Sequence, residues 1–178
     1  MAQLSFRDDA RLSTEVRQRL RSFCESLGED LIALAKDLGL SVFGEEMMPY
    51  ESGYLEYAPT CGSKSKYRIV VNQSQSIERQ RFTVAHELAH FLLHRDSEDF
   101  FVKSETRHRS NDLFEYLEPE DKYIEREANA FAAAILMPQN LLRPAFERLS
   151  GNVSLLAKLF QVSEAAMNIR LKDMRLTH

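Results

Sequence analysis

Cysteine is nearly absent from the 178 residues, occurring only at Cys24 and Cys61. Neither has a Cys-x-x-Cys neighbour, so a thiolate metal site and a dithiol redox centre are excluded. Cys24, inside a helical pattern, reads as small packing. Basic charge is not in excess: 23 Lys and Arg stand against 27 Asp and Glu, for a net charge of −4. That balance argues against broad binding to a phosphate backbone, which needs a basic face. Long apolar runs are missing too. No stretch approaches the roughly 18 residues of a membrane span, and the first residues carry no signal-peptide pattern. A cytoplasmic protein with reduced thiols is the expectation. What remains, 44% apolar and 28% charged residues, is ordinary for one globular domain with a proper core.

Hydrophobic spacing divides the chain into helical and extended parts. Residues 1–11 are polar. Leu12, Val16, Leu20 and Phe23 form a helical stripe with Ser13 or Thr14 as its cap, and Gly28 ends it. A second helix is expected from Glu29 to Leu38, with Gly39 just past its end. The period then changes. Segments 40–43, 53–57 and 67–71 read as three short strands, with residues 61–66 as a hairpin loop joining the last two. An edge of such a sheet can hold an extended peptide as an added strand. Asn72 to Ser76 reads as a turn, with Ser76 capping the next helix.

That next helix carries the chemistry. Phe82-Thr-Val-Ala-His86-Glu87-Leu-Ala-His90-Phe-Leu-Leu-His94 contains His-Glu-x-x-His in an uninterrupted helical pattern. Histidines four apart project from one helix face, so two imidazoles can reach one Zn²⁺ while Glu87 stands beside a water as general base. With 5 His and 18 Glu in the chain, chance gives roughly 0.01 such motifs. Zinc in a hydrolase usually has a third protein ligand. His94 lies about 12 Å along the axis from His86 and cannot close one coordination sphere with both; it is expected to buttress the site or to pack against the following loop. Position 96 is Asp rather than the third His of a metzincin, which excludes that class. A glutamate on a second helix is the other solution. Glu125 shares a face with Asn129, whereas Glu127 points about 200° away. Glu125 is preferred for that reason, with Glu127 as the fallback.

Between the two helices, residues 95–118 are charge-rich, and a connection this long reads as a flap beside the site or a surface loop. Pro119 suits the first turn of the second helix and Pro138 its end. Asn140 is the expected cap of a helix through Arg148, and Pro144 a kink or new start within it. Gly151 precedes a helix over 153–160, and Ser163 caps a last one to about Leu171.

Residues 79–94, followed by Glu125-Arg-Glu-Ala-Asn129-Ala-Phe-Ala-Ala-Ala-Ile-Leu-Met-Pro138, closely resemble the ImmA/IrrE family of bacterial and phage zinc metallopeptidases. Residues 69–76 resemble the family's strand and turn before the zinc helix, and 156–171 its C-terminal helical pair. The resemblance implies one Zn²⁺ per chain held by His86, His90 and Glu125, Glu87 as general base, and Asn129 behind the ligands. It also implies cleavage of a cognate helix-turn-helix (Xre-like) repressor encoded nearby, which would release the genes that repressor silences. Ala89 stands where many members have Gly. No motif marks the oxyanion donor, for which Tyr54, Tyr57, His94 and His108 are candidates.

Two other readings compete. A zinc-stabilised module could sequester the repressor without cutting it, but retention of Glu87 favours an enzyme. The C-terminal segment loosely echoes a DNA-binding helix-turn-helix, yet Gln161 sits where the turn often has Gly, and 151–178 has only four Lys or Arg. Packing helices or a repressor-recognising surface fit it better than DNA. The expected fold is α+β: a small antiparallel sheet packed on the His-Glu-x-x-His helix, with mostly helical N- and C-terminal parts. The expected division is a zincin-like domain over 1–138 and a helix-turn-helix-like helical subdomain over 139–178.

Overall fold

The computed structural model describes residues 9–95 and 119–177. Its N-terminal part is a helical pair, α1 (Thr14–Glu25) and α2 (Leu31–Asp37). Ser13 and Asp30 cap them, their side-chain oxygens accepting from Val16 N and Ile32 N. These caps satisfy backbone donors that the first turn leaves unpaired. The stripe expected for α1 buries Leu12, Leu20 and Phe23.

Three strands follow: β1 (Ser41–Glu45), β2 (Gly53–Tyr57) and β3 (Tyr67–Asn72). They lie where the alternation placed them, in the order β1-β3-β2. β2 and β3 are antiparallel, joined by the expected loop, but β1 runs parallel to β3. The sheet is therefore mixed rather than wholly antiparallel. The physical reason lies in the connection: the chain leaves β1, passes the far edge to form β2, and the hairpin return drops β3 into the middle. Buried Asn72 fixes that route. Its side-chain amide donates to the carbonyls of Met48 (3.1 Å) and Glu51 (2.8 Å), and its Oδ1 accepts from Ser74 N (3.0 Å).

One face of the sheet lies on α3 (Ile77–Leu93), capped by Ser76 as expected. Gly53 is what allows the close fit. A Cβ there would stand 2.3 Å from Val70 O and 2.7 Å from Thr83 Cγ2, so any side chain would push β2 off the helix. On the opposite side α3 packs along α4 (Pro119–Leu136). Ala85 and Ala89 of α3 and Ala128 and Ala132 of α4 are completely buried. The alanine at position 89 thus fits without strain.

Three more helices complete the chain: α5 (Gln139–Arg148), α6 (Val153–Phe160) and α7 (Glu164–Asp173). Pro138, not Asn140, is the N-cap of α5, and the Asn140 amide instead donates to Cys24 O at 3.1 Å. Pro144 lies inside α5. Asn152 caps α6 and Ser163 caps α7. Between them Gln161 adopts φ 53°, ψ 49°, the left-handed conformation that glycine takes most readily. The turn between α6 and α7 forms despite the side chain there. Leu156, Phe160, Met167 and Leu171 belong to the same hydrophobic cluster as Leu20, Leu34, Leu88 and Phe131. No helix among the described residues is long and apolar enough to cross a membrane.

Candidate metal centre

α3 is apolar nearly all round and is covered by the sheet on one side and α4 on another, so its histidines are driven into protein rather than solvent. His90 is buried and His86 nearly so. Their Nε2 atoms approach to 2.9 Å. From α4, Glu125 brings Oε2 to 3.2 Å from His86 Nε2 and Oε1 to 3.4 Å from His90 Nε2. Among the described residues, these three offer one ligand atom each, all mutually within 4.8 Å. Zinc bonds of about 2.0–2.1 Å in a tetrahedron set neighbouring ligand atoms about 3.3 Å apart; the Nε2–Nε2 separation and the contacts from the two Glu125 oxygens, one to each histidine, are of that order. Two nitrogens and one carboxylate oxygen are also a donor set that zinc accepts.

The other ring nitrogens are engaged as a ligating histidine requires. His86 Nδ1 lies 3.0 Å from Asn129 Oδ1, which can only accept, so His86 carries its proton on Nδ1 and turns the Nε2 lone pair to the cluster. His90 Nδ1 lies 3.1 Å from His94 Nδ1. His94, the C-cap residue of α3, reaches Glu127 Oε2 with Nε2 at 2.8 Å. The two glutamates diverge round α4 as expected, but Glu127 does not face away from α3: it is buried and meets His94 at the end of that helix.

Proton affinities follow from the same contacts. Burial pushes His90 down to about 4, so it is neutral at neutral pH. Burial would lower His86 as well, but the hydrogen bond to Glu125 and the charges of Glu87 and Glu125 outweigh it and raise the group. Burial would raise Glu125, yet its hydrogen bonds with His86 and His90 hold it well below the usual carboxylate range.

The remaining sequence candidates separate. His94 lies behind His90, ring nitrogen to ring nitrogen. Tyr54 is a correction: neighbouring Gly53 faces α3, so Tyr54 projects from the opposite face of the sheet, where its hydroxyl donates to Glu45 at 3.5 Å. Tyr57 is half exposed, its ring 5.2 Å from that of Tyr67, which in turn meets Phe91 at 5.4 Å. His108 and residues 96–118 of the expected flap lie outside the described residues. One contributor escaped the sequence reading. Arg11 donates to both oxygens of Glu127, at 2.6 and 3.0 Å across 116 positions. Its only sequence signal is a charged residue immediately before the buried Leu12.

Comparison with known proteins places the chain in a family. Residues 35–172 match the family profile Peptidase_M78, described as the IrrE N-terminal-like domain. The chain is 32% identical over 105 residues to the radiation response metalloprotease IrrE of Deinococcus radiodurans, covering 58% of this chain and 29% of that protein. A solved structure described as a Mycobacterium tuberculosis transcriptional regulator shares the fold, with a TM-score of 0.56 and 23% identity over 90% of this chain and 47% of that one. The chain thus spans less than half the length of either relative.

Proposed function

Because the chain belongs to the Peptidase_M78 family of IrrE N-terminal-like domains, a family of metallopeptidases, we propose that it is a zinc-dependent endopeptidase. His86, His90 and Glu125 hold the metal and Glu87 is the general base. One observation carries the reading: the two Nε2 atoms and the Glu125 carboxylate converge on one point, with Asn129 and His94 engaging the opposite ring nitrogens. Zinc bound there would polarise the scissile carbonyl and bring a water's pKa toward about 7.

The chain's own groups do the rest. Glu87 follows His86 on α3, half-buried and near enough for its charge to act on that imidazole. It accepts the proton of the attacking water and passes it to the departing amine. β2 is an edge strand packed on α3, so its outer edge would take the substrate as an added extended strand. The substrate is a helix-turn-helix (Xre-like) repressor, as the ImmA/IrrE resemblance of residues 79–94 and 125–138 implies. The curated relative's description as a metalloprotease supports the peptidase half of this reading.

The test is elemental zinc on the purified chain, then incubation with the repressor encoded beside it, for the parent and Glu87→Gln. About one zinc in both, with new fragments only in the parent, is the expected result. Fragments from Glu87→Gln would remove the general base. Loss of DNA binding by the repressor without fragments would replace cleavage with sequestration.

A further inference from the structure

Behind the metal cluster runs a line of groups that the peptidase chemistry does not use. We propose that His94, Glu127 and Arg11 are positioning residues that fix His90 as an Nε2 metal donor, so that the segment before α1 tunes metal affinity. The inference deepens the metal-site reading above and rests on it.

Each link has one direction. Arg11 has donors only, and two of its nitrogens donate to the two oxygens of Glu127, at 2.6 and 3.0 Å. Glu127 is thereby fixed as an acceptor toward its remaining neighbour, His94 Nε2, at 2.8 Å. His94 must then carry its proton on Nε2, which leaves Nδ1 as a lone pair. That lone pair faces His90 Nδ1 at 3.1 Å, so His90 carries its proton on Nδ1. A neutral imidazole protonated on Nδ1 has its lone pair on Nε2, the atom that points at His86 and Glu125. Reversing any link would leave two protons or two lone pairs facing each other in a buried space, which is unfavourable.

The far end of the line is held by a second fork. Arg11 Nε and a terminal nitrogen donate to Asp9 Oδ1 and Oδ2 at 3.0 and 2.6 Å. Leu12, 4% exposed, anchors the same segment in the core. The guanidinium is therefore clamped between two carboxylates and cannot rotate away while segment 9–12 is docked. Asn129 does for His86 in one step what this line does for His90 in three. Only the longer line reaches a different part of the chain.

Two measurements test the proposal. The first is the zinc dissociation constant, from competition with a chromophoric chelator, for the parent, His94→Phe, Glu127→Gln and Arg11→Gln. Partners of this kind are worth about 10–100-fold in metal affinity, so His94→Phe should weaken zinc binding by that factor. Glu127→Gln, which keeps an acceptor for His94, should weaken it less, and Arg11→Gln by a few-fold. The second is the tautomer state of the ring nitrogens by ¹H–¹⁵N correlation spectra, which a purely structural role would not move. His90 should be protonated at Nδ1 and His94 at Nε2, in the metal-free chain as well as the loaded one. In His94→Phe, the Nδ1 proton of His90 should lose its low-field hydrogen-bonded shift. Unchanged zinc affinity in a folded His94→Phe, or a His90 protonated at Nε2 in the parent, would overturn the proposal. A parent that takes up no zinc would remove the metal-site reading, while the metal-free tautomers would still decide this one.

Discussion

Glu125 and Glu127 stand two positions apart on one helix and meet different histidines of another: Glu125 faces His86 and His90, while Glu127 faces His94. Their surroundings set them apart. Among the described residues Glu125 meets the imidazoles of His86 and His90, whereas Glu127 is already paired with the Arg11 fork. A carboxylate so occupied is a poor ligand, and Glu125, set beside the two Nε2 atoms, is the better placed one.

The two glutamates therefore respond differently to removal. Glu125→Ala should abolish stoichiometric zinc binding, and Glu127→Ala should leave zinc bound with about 10-fold weaker affinity. Elemental analysis and chelator competition distinguish the two. Equal loss in both variants would mean that the pair acts as one unit.

Acid should erase the contribution of Arg11. Glu127 and Asp9 are both held below the usual carboxylate range, chiefly by hydrogen bonds from Arg11. A group whose pKa is depressed in the folded state stabilises above its unfolded value and loses that stabilisation as pH falls. Arg11→Gln should thus be less stable at pH 7, by about 1 kcal/mol given that solvent screens a half-exposed guanidinium. The gap should hold down to about pH 4.5 and close below it. Urea titrations of the metal-free parent and variant from pH 7 to pH 3 would show this. A gap that persists at pH 3 would assign the effect to packing rather than charge.

Gly53→Ala should destabilise the chain by about 1–3 kcal/mol, the usual cost of forcing atoms into a filled core. The new methyl group would meet Val70 O and Thr83 of the zinc helix. Thermal unfolding reads the loss. A variant as stable as the parent would show that β2 can shift on α3 at no cost.

Gln161→Gly should act the other way. A residue other than glycine in the left-handed region is strained, and even after the entropy that glycine costs the gain should be about 0.5–1 kcal/mol. A melting temperature about 1–4 °C higher is expected for a chain of this size. A lower one would mean that the Gln161 side chain contributes packing worth more than the backbone strain.

What could be read from the sequence was whatever is local. Ser13, Ser76 and Ser163 cap helices where the spacing put them, because a cap and the turn that it closes lie within four residues. His86, His90, Glu125 and Asn129 come together as their helical spacing implied, since a face is fixed by a period. Strand direction is not local. Nothing in the alternation of 41–45 says whether it runs with or against β3, because the pattern of a short half-buried strand is the same either way. Asn140 was misread as a cap because the sequence does not reveal Cys24 O beside it. Arg11 was invisible for the same reason, as an ion pair across 116 positions leaves no periodic mark.

That span also orders events in time. During synthesis the chain presents Arg11 first, the paired histidines of α3 much later, and Glu125 and Glu127 later still. A nascent chain that has reached only residue 94 has the three imidazoles of His86, His90 and His94 but neither carboxylate, so Arg11 has no Glu127 to meet. Loop closure over so many residues is slow compared with forming a helix or a hairpin. The Arg11–Glu127 pair, which stands behind the candidate metal site, can therefore close only after α4 has been made.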